Sequence, residues 1–492
     1  MRLRVAAPLA ALAGVLSAAA FDPFAVPYAM LVGVALLVWV LREQRDARRR
    51  AVLAVGAVYG LVFMAVLIWW MRAVSDGAYV GLVLAQVFFL ALVALALRAA
   101  LRLPAWPLWG AAVWVLGEQV RGAVPFSGFP WGRLAHTAVD TPFAPFARLV
   151  GMPATSGLLF LLAACLVVVV TGRHRVTSAA VVVATVLVGL VLPTGVADPG
   201  ETRRLAAVQG NVPGVFLTWP RGEIGQLHLA ETRRYAAAVE SGEERAPDLV
   251  LWPENALDVD PEDDPALAAS IQSLVDRLDA PILVGGIFDG PTNDTAYNAG
   301  MVWDEDGPGE RYVKRRLVPY GEYVPFRQQL GGIVPRFDRD IPRDMIHGSE
   351  PGDLDTGAAV VGDTICWDIA YDGIVREAVD GGAEVLVVQT SNASFTGTSQ
   401  PDQQFKISRL RAIETGRWVV VPSTNGISGI VDGDGDVVAT APREEAATLA
   451  ADVTLAQGRT LATVLGPWPG WLLCGLGLLG WVLGARAGRR PR

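Results

Sequence analysis

Lysine is almost missing from this chain: Lys314 and Lys406 are the only two, against 39 arginines, in 492 residues. Arginine keeps its proton in proteins whereas lysine can lose it, so each surviving lysine is a position to examine for chemistry. Cysteine is nearly as scarce. Cys165, Cys366 and Cys474 stand far apart, a spacing that fits neither a disulfide framework nor a set of metal ligands. Two of them fall inside apolar runs, so Cys366 is the one thiol in a polar stretch, and it is either inert or a nucleophile. The histidines His136, His174, His228 and His347 have no ligand spacing, and neither a metal nor a cofactor is expected. No basic stripe exists, and the net charge is -8, which argues against nucleic acid as a partner.

What the chain has in excess is apolar surface. Hydrophobic residues make up 52% of it and the mean hydropathy is +0.37. The excess is uneven: residues 1–200 and 460–485 are dominated by Ala, Val, Leu, Gly and Trp, while most acidic residues lie between Glu201 and Glu445. Crossing about 30 Å of hydrocarbon takes on the order of 20 apolar residues. Eight candidate spans follow, at 5–21, 24–41, 51–71, 79–97, 104–121, 154–171, 177–194 and 463–485. Arginine collects on one side of them. With both termini in the cytoplasm, that side holds fifteen (Arg2, Arg4, Arg42, Arg45, Arg48, Arg49, Arg50, Arg98, Arg102, Arg173, Arg175, Arg486, Arg489, Arg490 and Arg492). The opposite flanks hold four, Arg72, Arg121, Arg133 and Arg148. Because positive charge is retained inside, the chain is expected to be a multi-pass protein of the plasma (inner) membrane with residues 196–460 on the extracytoplasmic face. Met1 to Ala20 also fits a cleavable secretory leader, which would leave seven spans without moving the large domain.

From Arg204 onward, short β-branched runs alternate with helical patterns, the mark of α/β layering. Strands are predicted at 205–211, 249–253, 282–287, 299–304, 359–366, 385–390, 418–422, 429–431 and 437–440, and helices at 223–241, 264–278, 371–380 and 401–415. The expected organisation is seven spans in 1–195, an α/β sandwich in 196–460, and a last span with a basic tail in 461–492. Residues 331–348 carry few helix or strand signals and fit a mobile arm or an inert surface loop.

Three polar groups stand where strands end, the place where α/β folds build sites. They are Glu254 in Leu251-Trp252-Pro253-Glu254-Asn255-Ala256, Lys314 at the head of a block running to Pro325, and Cys366 in Ile365-Cys366-Trp367-Asp368. Together they are chemically coherent. A thiol is mostly protonated at neutral pH and needs a base to become a nucleophile; Glu254 can supply one. Lys314 and the backbone N–H of Trp367 can hold the oxyanion that forms when sulfur attacks a carbonyl.

The order Glu, Lys, Cys resembles the nitrilase superfamily, and the surrounding words are similar to those of the apolipoprotein N-acyltransferases. The matching pieces are Val208-Gln209-Gly210-Asn211-Val212-Pro213, Trp252 to Ala256, Lys314 to Pro325, Ile365 to Asp368, Thr390-Ser391-Asn392, Arg409 to Arg417, and Gly128-Phe129-Pro130-Trp131 among the spans. The resemblance implies an α-β-β-α sandwich inserted before the last span. It implies a ping-pong reaction, in which Cys366 takes an acyl chain from a membrane phospholipid as a thioester and passes it to the α-amino group of a diacylated apolipoprotein. Glu254 is then the base, Lys314 the oxyanion partner and Glu322 a second carboxylate orienting the site, unless Glu322 is a structural ion-pair partner. Tyr320, Trp367, Asp368 and Asn392 are supporting residues, Trp131 and Trp219 line a rim for lipid, and the chain acts as a monomer. Trp367 and Asp368 replace a commoner Tyr and Glu, and Ser391 to Phe395 replaces a commoner Asn-Asp-Ala-Trp-Phe, so substrate contacts there are open. A membrane-tethered carbon-nitrogen hydrolase using water as acceptor would need the same three residues but not seven preceding spans.

Overall fold

A computed structural model describes residues 1–172, 174–212, 219–330 and 341–488. Pro213, the first part of the expected arm (331–340) and the arginines at 173, 489, 490 and 492 lie outside the described residues. The chain forms two compact units, one of Met1–Pro193 with Val464–Arg492, the other of Thr194–Thr463.

The first unit is helical. Its main helices are Leu3–Ala19, Ala29–Glu43, Arg49–Leu67, Asp76–Ala100, Trp106–Arg121, Phe146–Thr171, Arg175–Val191 and Trp468–Ala487. Among the described residues four of these are long and apolar enough to cross a membrane: Arg49–Leu67, Asp76–Ala100, Phe146–Thr171 and Trp468–Ala487. Small residues let the helices close on one another. A Cβ at Gly56 would lie 2.5 Å from the Ala94 Cβ, and one at Gly484 only 2.1 Å from the Ala99 carbonyl oxygen. The outward faces are apolar instead of charged: Phe88, Leu190 and Leu472 are each at least 60% exposed. Water would leave such faces uncovered and hydrocarbon matches them, so this is a membrane protein.

The second unit is built by alternation. Successive strand residues point to opposite faces, and every second residue here is apolar toward each side. Strand β1 (Pro199–Gln209) continues through helix α8 (Glu223–Ser241) to β2 (Leu249–Leu251), then α9 (Pro265–Leu278) leads to β3 (Ile282–Asp289), β4 (Thr295–Asp304) and β5 (Gly307–Val313). A two-residue β6 (Asp344–Met345) pairs with β4. A second set follows: β7 (Asp353–Asp355), β8 (Val360–Ile365), α10 (Asp372–Asp380), β9 (Val385–Gln389), α11 (Gln400–Thr415), β10 (Val419–Val421), β11 (Gly429–Val431) and β12 (Val437–Thr440). The last strand, β13 (Ala447–Ala456), returns to the first sheet. The sheet orders are β13-β1-β2-β3-β4-β5 and β12-β11-β10-β9-β8-β7.

Each sheet has a parallel centre and antiparallel flanks. β1, β2 and β3 run parallel, as do β8, β9 and β10. Ala206, Val208, Val250, Trp252, Ile282 and Val284 pack with Leu229, Ile271 and Leu274 of α8 and α9. Their alternates Leu205, Ala207, Leu249, Leu251 and Leu283 pack with Val361, Ile365, Val385, Val387 and Val420 of the second sheet. Helices α10 and α11 lie against the second sheet. The result is the four-layer α-β-β-α sandwich.

Candidate active site

The central strands β2 and β8 end close to Glu254 and Cys366, and Lys314 directly follows β5, so strand ends from both sheets supply the three residues. Glu254 follows Trp252 and Pro253, and that strand end is fixed from two sides. The Trp252 indole donates to Thr232 Oγ1 at 3.1 Å, and Gln389 Nε2 donates to the Trp252 carbonyl at 2.7 Å. Gly285 has to be glycine here, because a Cβ would lie 2.0 Å from the Pro253 carbonyl oxygen.

Lys314 is 1% exposed and sits between two carboxylates. Its Nζ is 2.8 Å from Glu254 Oε1 and 3.0 Å from Glu322 Oε1. Burial works against its charge, but Glu254 and then Glu322 outweigh it and hold the ammonium well above its usual value. Glu322 reaches this place through a turn: its Oε2 accepts from the Val318 N–H at 2.7 Å, and Tyr320, with φ of 61°, carries the chain around. Tyr320 therefore enters the site through its backbone, its N–H donating to the Tyr323 carbonyl at 2.8 Å.

Cys366 opens a 3-10 turn, Cys366–Ala370, directly after β8, with φ of 57°. A non-glycine residue in the left-handed region costs about 1–3 kcal/mol, and such strain is kept where a side chain must be aimed. The residue as a whole is half-buried. Burial, then the Glu254 carboxylate, push it well above its usual value; Lys314 and a contact with Thr390 oppose them. The resting sulfur therefore carries its proton, beside the groups that can remove it.

Asp368 is fully buried, accepting from the Tyr312 hydroxyl at 2.8 Å and the Arg316 N–H at 3.1 Å. Burial raises its carboxyl to about 6, against the pull of Lys314. The Trp367 indole N–H is bonded to the Arg316 carbonyl, and its ring meets Tyr371 edge-on with centroids 5.8 Å apart. Both residues thus tie the Cys366 turn to the segment after Lys314. Asn392 has φ of 55° and is buried among amides, with Nδ2 donating to Gln400 Oε1 at 3.0 Å.

One residue escaped the sequence analysis. Asn298 of β4 is 1% exposed and its Nδ2 donates to Glu254 Oε1 and to Glu322 Oε1, each at 2.8 Å. The Ser391 N–H holds the other oxygen of Glu254 at 2.9 Å. The signal for Asn298 was an amide inside an otherwise apolar strand, where an unpaired polar group would be costly.

The rim assignments fare differently. Trp131 is 2% exposed; it stacks on Phe129 with centroids 6.2 Å apart and meets Trp70 edge-on at 5.8 Å. It is a packed side chain, in a loop folded inward: Arg121 donates to the carbonyls of Phe129, Trp131 and Gly132 at 3.1, 2.7 and 3.0 Å. Trp219 is half-buried, next to residues 213–218, which lie outside the described residues.

A four-layer sandwich carrying a glutamate, a lysine and a cysteine at its strand ends defines an enzyme of the carbon-nitrogen hydrolase class, and residues 204–463 match that family, described as Carbon-nitrogen hydrolase. Residues 13–165 match the Apolipoprotein N-acyltransferase N-terminal domain. The chain is similar to the apolipoprotein N-acyltransferase of Mycolicibacterium smegmatis, 33% identical over 480 residues that cover 91% of this chain and 80% of that protein. It is similar also to that of Azotobacter vinelandii, 31% identical over 520 residues, covering 98% and 95%. Among solved structures it is similar to Saccharomyces cerevisiae Nit3, a member of branch 10 of the nitrilase superfamily, at 19% identity and a TM-score of 0.38, covering 52% of this chain and 91% of that one. The chain belongs to the apolipoprotein N-acyltransferase family.

Proposed function

We propose that this protein moves an acyl chain from a membrane phospholipid, through a thioester on Cys366, to the N-terminal amino group of an S-diacylglyceryl-cysteine on an apolipoprotein. The observation that carries the reading is the shared ammonium: Lys314 lies 2.8 Å from Glu254 and 3.0 Å from Glu322 at the foot of a strained, strand-end cysteine. Two of its three N–H bonds serve carboxylates, leaving one for a reacting oxygen.

In the first half-reaction Glu254 takes the thiol proton and the sulfur attacks the ester carbonyl. The oxyanion is held by Lys314 and the Trp367 N–H, an arrangement worth several kcal/mol in comparable sites. Collapse breaks the ester C–O bond, and Glu254 returns the proton to the departing lysophospholipid oxygen. In the second, the amino group attacks the thioester, Glu254 takes its proton, and the C–S bond breaks to leave an amide and the thiolate. Glu322 and Asn298 fix Lys314 and Glu254 so that neither group has to reorganise during the reaction.

The arginine asymmetry supports a domain facing outward with both termini in the cytoplasm, and a single copy carries all the residues the reaction needs, which fits a monomer. Hydrolysis by water is the less favoured outcome, since the family and the apolar helices both fit a lipidic donor.

The experiment is acyl capture. Purified full-length protein with acyl-labelled phospholipid should acquire a hydroxylamine-sensitive label on Cys366, absent in Cys366→Ala. Addition of a diacylglyceryl-cysteine peptide should move the label into an amide. Release as free fatty acid at a rate indifferent to the peptide would make the protein a hydrolase.

A further inference from the structure

Glu254 accepts hydrogen bonds at both of its oxygens, and the two are used unequally. Oε1 takes two, from Lys314 Nζ and from Asn298 Nδ2, each at 2.8 Å. Oε2 takes one among the described residues, from the Ser391 N–H at 2.9 Å. A carboxylate oxygen offers about two lone-pair sites, so Oε1 is full and Oε2 has one left. A proton arriving at Oε1 would displace the ammonium or the amide. At Oε2 it displaces nothing.

The Ser391 N–H belongs to the peptide between Thr390 and Ser391, and that peptide is gripped by one fully buried residue, Thr424. The Thr424 N–H donates to the Thr390 carbonyl, the other end of the same peptide, at 3.2 Å. Because a peptide is planar, fixing its carbonyl fixes the direction of its N–H. The Thr424 hydroxyl donates to the Ser391 carbonyl and so holds the next peptide as well. Thr424 lies just past β10 as Thr390 lies just past its parallel neighbour β9, and a bridge between Thr390 and Ser423 joins the two segments. The Thr424 carbonyl is anchored in turn by the Asn211 N–H at 2.8 Å, just past β1, and Asn211 Nδ2 donates to the Glu444 carbonyl at 2.7 Å. The ends of β1, β9 and β10 thus converge on the direction of one N–H.

We propose that Glu254 Oε2 is the atom that accepts the thiol proton, and that Thr424 is a positioning residue that locks the Ser391 N–H onto one lone pair of Oε2 and leaves the other for the proton. The inference deepens the acyl-transfer reading and rests on Glu254 being its base. In the step the S–H bond breaks, its electron pair stays on sulfur, and the proton bonds to Oε2. The lysophospholipid oxygen takes that proton when the ester C–O bond breaks. Lys314 and Asn298 keep their bonds to Oε1 throughout, because a carbonyl oxygen accepts as a carboxylate oxygen does. The ammonium therefore stays in place for the oxyanion while the base gains and loses its proton.

The test uses the full-length protein and two measurements: single-turnover thioester formation from acyl-labelled phospholipid, and alkylation of Cys366 by iodoacetamide across pH, with the labelled residue located by peptide mapping. Thr424→Val keeps the shape and removes the hydroxyl. It should form the thioester roughly tenfold more slowly at saturating phospholipid, with the half-saturating concentration unchanged, and Thr424→Ser should restore the rate. Alkylation of Thr424→Val should lag near neutral pH, and the lag should close as pH rises, because hydroxide then replaces the carboxylate as base. A wild-type rate in Thr424→Val, a loss confined to phospholipid saturation, or a lag equal at every pH overturns the assignment. Should Thr424→Val not be recovered folded, Thr424→Ala is judged by the same outcomes. Glu254→Gln separates the two readings. A thioester formed at the wild-type rate in that variant overturns the base reading and this inference together, whereas an inactive Glu254→Gln beside an indifferent Thr424→Val overturns this inference alone.

Discussion

Arg121 in the helical unit and Lys314 in the sandwich are both buried cations, 2% and 1% exposed, yet their partners are of opposite kinds. Arg121 spends its donors on neutral, fixed acceptors: Gln86 Oε1 and the carbonyls of Phe129, Trp131 and Gly132. Three residues earlier, Glu118 accepts from the Trp114 indole at 2.8 Å and from the Leu134 N–H at 2.9 Å, so one helical turn pins the returning end of the loop. Lys314 meets two carboxylates and an amide-clamped geometry, with one N–H unused among the described residues. A guanidinium bonded to neutral amide and backbone oxygens is a structural peg. An ammonium held by carboxylates with a donor to spare is equipped for chemistry.

Breaking the second kind should cost the most activity. Lys314→Met leaves Glu254 and Glu322 sharing Asn298 with no cation between them, and removes the oxyanion donor proposed above. Acyl transfer, followed by the labelled amide, should fall about 10³-fold, and the melting temperature should fall as well because two buried carboxylates lose their partner. Lys314→Arg should not rescue it, since a planar fork cannot occupy the place of a point charge. Recovery of activity in Lys314→Arg would make Lys314 a mere counter-ion and erase the contrast with Arg121.

Breaking the first kind should be a matter of stability. Arg121→Met strips donors from three loop carbonyls and one amide; each buried acceptor left unmade costs about 1–3 kcal/mol. The expected result is a clear loss of thermal stability in detergent, with the pH profile of Cys366 alkylation unmoved. A shifted profile with unchanged melting would show that Arg121 is more than a peg.

Residues of this importance were unevenly legible. Lys314 was singled out by the scarcity of lysine and by the words around it, whereas Glu254 and Cys366 could be placed because each stands at the end of an apolar strand, a local signal. The helices of the sandwich were legible for the same reason: 223–241 was expected and Glu223–Ser241 is observed. β13 was not, because Ala447–Ala456 is rich in alanine and becomes a strand by pairing with β1, far away in sequence. β5, with its Gly-Pro-Gly-Glu start, likewise owes its conformation to β4. Asn298 was invisible because its role depends on two carboxylates brought in by other elements. The packing of Trp131 was not legible, because aromatic residues near span ends usually face the headgroup layer, whereas here Arg121 folds the loop inward.

A third buried ionisable group tests the rule from the other side, since its carboxyl oxygens have no hydrogen-bond partner among the described residues. Asp363 of β8 is fully buried, and neither of its carboxyl oxygens has a hydrogen-bond partner among the described residues; Gln389 Oε1 beside it has none either. Both crowd Gly300, where a Cβ would lie 2.2 Å from Asp363 Oδ2 and 2.3 Å from Gln389 Oε1. Burial, and then Asp368, hold the Asp363 carboxyl well above its ordinary value of 3.8. The folded protein therefore keeps this proton at pH values where the unfolded chain has released it, so stability is greatest below 3.8 and is lost as pH rises toward the folded value. Asp363→Asn has the same shape, no proton to lose, and an N–H that can reach Gln389. It should stabilise the protein at pH 8 by about 1–3 kcal/mol and flatten the fall of melting temperature between pH 4 and pH 8. The slope that remains belongs in part to Asp368, raised to about 6 and of the same sign. Melting curves across that range in wild type and Asp363→Asn decide it. Parallel slopes would mean that Asp363 is charged in the folded state, and that a buried charge without a partner is tolerated here.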